Sequence, residues 1–299
     1  MTREEFENKR KKELRGTYLS EQEKVSYLQR LLKPYDGDKV FLLQYLEADG
    51  NELHDKFWNC KSSSRFAFEL YSWMAADSRY KNFEFEKKLL GIKHGTPPNM
   101  DVYFEVENRV IFIESKFSEN YLPSIDDVAD AYYVDYPDAY DSKRKNKLNS
   151  TLTERYQNDE NAAQMFSSLV TRTKEILRNA SKNKTWMYFK QEITHLVGIA
   201  LTVRKDKTGY YKNKQLEFYN IYYDFGDVVE ECTEQFFKES NDIMQQLLEG
   251  YCKSFKYSHL SAQEMVKSRT ITNFDPNTLA FESNKTIGEI LKEQFKFEF

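Results

Sequence analysis

Hydrophobic and polar residues follow two different periods along the chain, and each period predicts its own type of secondary structure. In the first part of the chain, apolar residues recur three or four positions apart, which is the period of a helix. The predicted helices are residues 20–35, 39–57 and 61–80. From residue 82 onward β-branched and aromatic residues dominate, which indicates strands. The predicted strands are residues 83–90, 100–106 and 109–117.

A polar segment rich in Asp and Tyr, residues 119–150, follows the third strand and is too long for a simple connection. We therefore interpret it as an insertion, either a surface segment or a lid that contacts a substrate. Residues 162–180 beyond it form a predicted helix, and its apolar face comprises Ala163, Phe166, Val170, Thr173 and Leu177. The remaining predicted elements are strands at 195–203 and 215–223 and a long amphipathic helix at 228–255.

This order of elements predicts an α/β fold in which a central mixed β-sheet is flanked by helices, with extra helices at both ends of the chain. We divide the chain into an N-terminal helical region (1–60), a core (61–225) that contains the insertion, and a C-terminal helical extension (226–299) packed on the core.

The composition is that of a globular protein, with 40% hydrophobic and 31% charged residues. No apolar run approaches the ~20 residues of a membrane span, and the charged N-terminal residues do not resemble a signal peptide. The three cysteines lie far apart, which is typical of reduced thiols. We therefore expect a cytoplasmic protein with no membrane partner. The net charge of −4 carries no overall signature of nucleic-acid binding, although it does not exclude such binding.

The triplet Glu114-Ser115-Lys116 stands out because it ends a run of four apolar residues, 110–113, that predicts a strand buried on both faces. Charged groups placed next to the core cost several kcal/mol unless they are paired or bind a metal ion. The triplet is therefore a candidate site, whereas other Glu-x-Lys triplets in this highly charged chain are expected by chance.

The turn between the second and third strands brings a second carboxylate into this site. If the turn is centred on Glu107 and Asn108, the numbers of facing residues sum to 215, so that Asp101 faces Glu114. Lys116 lies on the same face of the sheet, two residues beyond Glu114. A divalent cation relieves the repulsion between two such carboxylates, and Mg²⁺, with Mn²⁺ as a substitute, prefers ligands of this kind. Lys116 is placed to act on a water molecule or on a phosphate.

Three further residues are weighed against simpler structural roles. Glu69 borders the apolar face of the helix at 61–80, where it can join the site or form an ion pair with a neighbouring Arg or Lys. Gln164 borders the apolar face of the helix at 162–180, where it can touch the site, although a purely structural position is the simpler interpretation. His195 opens an apolar run, and we interpret it as a core histidine. For Glu114 and Lys116, an ordinary salt bridge at the end of a strand is the alternative to catalysis.

The sequence PNMDVYFEVENRVIFIESKF, with Asp101 on one strand and Glu114-Ser115-Lys116 on the next, resembles the signature of the PD-(D/E)xK, or restriction-endonuclease-like, nuclease superfamily. Within it, KSSSRFAFELYSWMAAD followed by IESKFSEN is most similar to a restriction endonuclease group. The resemblance covers residues 61–203. The chain departs from the pattern where Asn99 and Met100 separate Pro98 from Asp101.

The resemblance implies that Asp101 and Glu114 bind Mg²⁺ together with the backbone carbonyl of Ser115, that Lys116 is the catalytic lysine and that Glu69 is an auxiliary acid. It implies hydrolysis of phosphodiester bonds by an endonuclease of the restriction or defence type, with double-stranded DNA as the expected partner. Because cutting both strands needs two sites, a homodimer is possible. The alternative is a nuclease fold without catalysis that serves as a nucleic-acid-binding or protein-interaction module.

Overall fold

The computed structural model describes residues 62–71, 74, 78–93, 95–117, 150–180, 185–226 and 230–268, with isolated positions elsewhere (4, 5, 8, 22, 57, 121, 123, 140, 141, 146 and 147). In chain order the strands are β1 (Lys81–Lys88), β2 (Asn99–Val106), β3 (Arg109–Lys116), β4 (Tyr140–Asp141), β5 (Asn146–Lys147), β6 (Gln215–Tyr222) and β7 (Ser254–Ser261). The helices are α1 (Ser63–Tyr71), α2 (Leu152–Arg155), α3 (Glu160–Arg178), α4 (Phe189–Arg204), α5 (Glu231–Leu247) and α6 (Ala262–Ser268).

Five of these strands form one mixed sheet in the order β1-β2-β3-β6-β7. The pairs β1–β2 and β2–β3 are antiparallel, whereas β6 runs parallel to β3 and to β7. The chain between β3 and β6 returns to the same end of the sheet, as a parallel pair requires, and helices α3 and α4 lie in this crossover. Strands β4 and β5 pair only with each other.

Helices cover both faces of the sheet. Residues 110–113 of β3 are fully buried, as a strand between two helical layers requires. On one face Phe112 and Phe218 pack with apolar residues of α3, α4 and α5. On the opposite face Ile111 and Ile113 pack with residues of α1 and α6. The predicted α/β fold, a mixed sheet flanked by helices, is therefore confirmed.

The predicted strand at 195–203 is wrong, because these residues belong to helix α4. Every residue from 195 to 201 is buried, so this part of the helix lacks the polar face that produces a helical period in a sequence. A short apolar run of this kind cannot be distinguished from a buried strand by its pattern alone. Gly198 lets α4 pack closely: a Cβ atom at this position would lie 2.4 Å from Cγ of Pro98, just before β2.

The prediction of one helix at 228–255 is also wrong in its second part. Helix α5 ends at Leu247, and Ser254 begins β7, the fifth strand of the sheet. The proposed C-terminal extension is thus not wholly helical. The strand was missed because SFKYSHLS is largely polar. It lies at the edge of the described sheet, where fewer of its side chains are buried in the core. The predicted N-terminal helices at 20–35 and 39–57, and most of the insertion, lie outside the described residues.

A side chain from α5 covers part of the edge of β7 that faces away from β6. The amide of Asn241 donates to the backbone oxygen of Tyr257 (2.7 Å), and the backbone N–H of Tyr257 donates to the Asn241 amide oxygen (2.7 Å). The side-chain amide thus makes the two hydrogen bonds that a further strand would make at this position. No described helix is long and apolar enough to cross a bilayer.

Candidate active site

The β2–β3 hairpin has the register predicted from its turn. Val106 faces Arg109 and Val102 faces Ile113, so the paired numbers sum to 215. Glu107, in the turn, has a φ of 56°, the left-handed conformation that such tight turns need. Asp101 directly precedes Val102 on β2, and Glu114 directly follows Ile113 on β3. The hairpin therefore brings the two carboxylates to the same end of the sheet.

The structure brings Asp101, Glu114 and Lys116 together in a buried cluster. Their exposed fractions are 9%, 2% and 3%. The Lys116 Nζ donates to Glu114 Oε1 (2.6 Å), and the backbone N–H of Ser115 donates to Asp101 Oδ2 (2.6 Å). Because Ser115 lies between the two charged residues, its hydrogen bond fixes Asp101 against the middle of the triplet.

Burial strongly perturbs the pKa of Asp101. It raises the pKa of this carboxyl well above its usual range, and the nearby Glu114 and Glu86 raise it further. Lys116 and the Ser115 N–H act in the opposite direction. Without a cation the neutral form of Asp101 is therefore favoured, and a bound cation would favour its carboxylate.

Glu86 is an acidic neighbour that the sequence did not single out. It lies on β1 between Phe85, which faces Val102, and Lys87, which faces Met100. This register places Glu86 beside Asp101. Its φ of 52° is a left-handed conformation that is costly for a side-chain-bearing residue and is frequent near functional sites.

Helix α4 supplies the other side of the site, which the sequence analysis missed. Gln191 Oε1 accepts a hydrogen bond from Lys116 Nζ (2.7 Å), and Gln191 Nε2 donates to Glu114 Oε1 (2.8 Å). One turn further on, His195 Nδ1 lies 3.5 Å from Glu114 Oε2. His195 is buried, as a core histidine would be, but its Nδ1 has no hydrogen-bond partner. The spacing of four residues between Gln191 and His195 is a helical signal, which the strand prediction at 195–203 concealed.

The donor set fits a hard divalent cation. Asp101 and Glu114 offer carboxylate oxygens, and Glu114 Oε2 is buried with no hydrogen-bond partner. Such an oxygen is costly unless a cation or a donor meets it. Among the described residues, no three His, Cys, Asp or Glu side chains surround a common point. Mg²⁺ is nevertheless usually held by one or two carboxylates, with water and substrate phosphate as the other ligands.

The two other predicted candidates have different outcomes. Glu69 lies on α1, but its side chain is outside the described part of the structure, so its role as an auxiliary acid stays a prediction. Gln164 is exposed on α3 and its side chain lies 3.5 Å from Glu160. It therefore turns towards solvent and makes no described contact with the site.

Comparison with known proteins assigns the chain to a family. Residues 65–267 match the family described as restriction endonuclease associating with ARP. The chain belongs to this family. The match runs from α1 to α6 and includes Asp101, the Glu114-Ser115-Lys116 triplet and the whole of α4 and β7. The predicted restriction-endonuclease-like relationship is thus confirmed. No curated protein and no solved structure matches the chain significantly.

If the chain cleaves DNA, Gln191→Ala is expected to reduce the cleavage rate by roughly 10- to 100-fold, the equivalent of about 1.5–3 kcal/mol for hydrogen bonds to charged groups. The reason is that Gln191 holds Lys116 and Glu114 in fixed positions relative to each other. The measurement is the initial rate of DNA cleavage, with Gln164→Ala on the exposed face of α3 as the control. Equal rates for the two variants would show that Gln191 does not organise the site.

Proposed function

We propose that the chain is a Mg²⁺-dependent nuclease that hydrolyses phosphodiester bonds, acting as a DNA endonuclease of the restriction or defence type. The observation that supports this most directly is the buried cluster of Asp101, Glu114 and Lys116 at adjacent strand ends. Membership of a restriction endonuclease family supports the same chemistry.

In this proposal Asp101 and Glu114 hold the ion, with the Ser115 backbone carbonyl as a third protein ligand. The ion would lower the pKa of a bound water and neutralise charge on the phosphate. Gln191 holds the Lys116 ammonium against Glu114, so that its positive charge stays at the end of β3. A positive charge fixed there stabilises the extra negative charge that the phosphate oxygens develop during hydrolysis.

Supercoiled plasmid DNA tests the proposal, because a closed circle has no ends and can be cut only by an endonuclease. The protein is incubated with plasmid, linear duplex, single-stranded DNA and RNA in Mg²⁺, in Mn²⁺ and in EDTA. We expect nicked and linear plasmid in either metal and intact plasmid in EDTA. Cleavage of linear substrates alone would indicate an exonuclease, and cleavage that persists in EDTA would contradict the metal requirement.

The short Lys116–Glu114 pair favours one alternative, a nuclease fold without catalysis that binds nucleic acid or protein. In that case the pair is a structural salt bridge. Metal would then leave the melting temperature unchanged, while loss of either partner would destabilise the fold by about 3–5 kcal/mol, because the other charge stays buried. Thermal unfolding with and without Mn²⁺ separates the alternatives without a known substrate.

A further inference from the structure

A second polar cluster lies behind the catalytic one. Glu192, fully buried on α4, follows Gln191 directly and precedes His195 by one turn. Its Oε2 accepts hydrogen bonds from Asn220 Nδ2 on β6 (2.8 Å) and from the Tyr257 hydroxyl on β7 (2.8 Å). Asn220 Nδ2 also donates to the Tyr257 oxygen (2.7 Å). Glu192 thus joins the helix to two strands of the sheet.

Two atoms of this cluster are unmatched. Glu192 Oε1 and Asn220 Oδ1 are both buried and have no hydrogen-bond partner. If Glu192 is ionised, both atoms can only accept hydrogen bonds, so neither can satisfy the other. Leaving two buried acceptors unpaired is costly, and native proteins rarely do so.

We propose that Glu192 is a neutral carboxylic acid, paired with the Asn220 amide through two hydrogen bonds in opposite directions. Asn220 Nδ2 donates to Glu192 Oε2, and a proton on Glu192 Oε1 donates to Asn220 Oδ1. A single proton therefore converts two unmatched acceptors into a donor and its acceptor. In this amide orientation Nδ2 also donates to the Tyr257 hydroxyl.

The surroundings of Glu192 favour the neutral form. Burial is the largest influence on its pKa and raises it, and the negative charge of Glu114 raises it further. Lys116, His195 and the Asn220 hydrogen bond lower the pKa, but the net direction is upward. The Tyr257 hydroxyl, which faces the same carboxyl, is itself held neutral, since burial raises its pKa well above the usual value.

The protonation state of Glu192 affects the electrostatic surroundings of the Lys116 ammonium. A neutral Glu192 adds no negative charge near this ammonium, which donates to Glu114. Glu192 then connects α4 to the sheet through hydrogen bonds alone. The consequence for catalysis rests on the proposed nuclease function, whereas the protonation state does not.

Glu192→Gln tests the protonation state, because glutamine has the shape of a protonated glutamate and its amide can donate to Asn220 Oδ1. The matched control is Glu217→Gln, on β6 three residues before Asn220. Glu217 is an ionised glutamate: although burial opposes ionisation, hydrogen bonds from Arg109 and Tyr219 lower its pKa. Two of these bonds, from Arg109 Nε and Nη2, measure 2.7 Å each.

Asp101, whose pKa is also raised by burial, can contribute to the protonated-carboxyl region of the infrared spectrum at pH 7. We therefore expect a distinct band in that region of the wild-type spectrum that is lost in Glu192→Gln and retained in Glu217→Gln. Glu192→Gln should melt close to the wild type, whereas Glu217→Gln should melt lower by roughly 5 °C, through loss of a charge-assisted pair. Absence of this band from the wild type would overturn the proposal. So would a fall in melting temperature for Glu192→Gln as large as that of the control.

Cleavage rates provide a separate readout. Glu192→Gln should retain kcat and KM within about 3-fold, less than the ~10-fold change that accompanies 1.4 kcal/mol. A decrease in kcat of more than 10-fold with an unchanged KM would show that an ionised Glu192 is needed, which overturns the proposal. If the wild type cleaves nothing, the proposed function fails, and the infrared and melting results still decide the state of Glu192.

Discussion

Lys116→Ala is expected to lower the rate of DNA cleavage by about 10²- to 10³-fold, the usual cost of removing one group that stabilises the transition state. The Lys116 ammonium is 3% exposed and is held by Glu114 and Gln191 at the end of β3. A water molecule cannot replace a charge that is fixed in this way. The measurement is the single-turnover rate of plasmid nicking in Mg²⁺ and in Mn²⁺.

This variant needs a matched control, because loss of Lys116 also leaves Glu114 buried without its ion-pair partner. Lys214 is suitable: its Nζ lies 2.8 Å from Glu105 Oε2, so it is also a lysine paired with a glutamate of the β2–β3 hairpin. Lys214→Ala should cleave at the wild-type rate. Lys116→Met, which keeps the apolar stem, shows whether any loss arises from unfolding. Full activity in a folded Lys116→Met protein would rule out a catalytic role for the ammonium.

Glu114→Gln is expected to abolish the stabilisation of the protein by Mn²⁺. At a concentration 100-fold above its Kd, a bound ion stabilises the folded protein by roughly 2.7 kcal/mol, which is readily measured as a higher melting temperature. Glutamine keeps the shape of the side chain but removes the charge that would hold the ion. It also removes the buried Oε2, which has no hydrogen-bond partner.

Glu105→Gln is the corresponding control for the metal titration. Glu105 is a buried glutamate of β2, but its partners are Asn82, Tyr103, Tyr210 and Lys214. This variant should respond to Mn²⁺ as the wild type does, even if it begins from a lower melting temperature. If the wild type itself shows no response at millimolar Mn²⁺, the two carboxylates do not form a metal site.

The β2–β3 hairpin could be predicted because its geometry depends on short-range information. A two-residue turn at Glu107 and Asn108 fixes which residues face each other along both strands. The clustering of Asp101, Glu114 and Lys116 therefore follows from their distances along the chain from the turn. The apolar run before Glu114 indicated the burial of this site, and the structure agrees.

The other half of the site depends on contacts between residues that are distant in the chain. Gln191 reaches Lys116 only because α4 packs across β3, and the continuous apolar run that follows in this helix gives no periodic pattern from which its faces can be deduced. Glu86 approaches Asp101 only through the β1–β2 register. Ten residues separate these two strands, so no tight turn fixes that register in advance.

The amide of Asn241 limits how two copies of this protein could associate. A second chain that paired with β7 would have to displace this amide from both backbone groups of Tyr257. A continuous sheet built across two molecules is therefore disfavoured on that side, which among the described strands leaves β1 as the edge at which a second copy could pair. Since Glu86 of β1 lies beside Asp101, pairing there would bring the candidate sites of the two copies to within a few strands of each other.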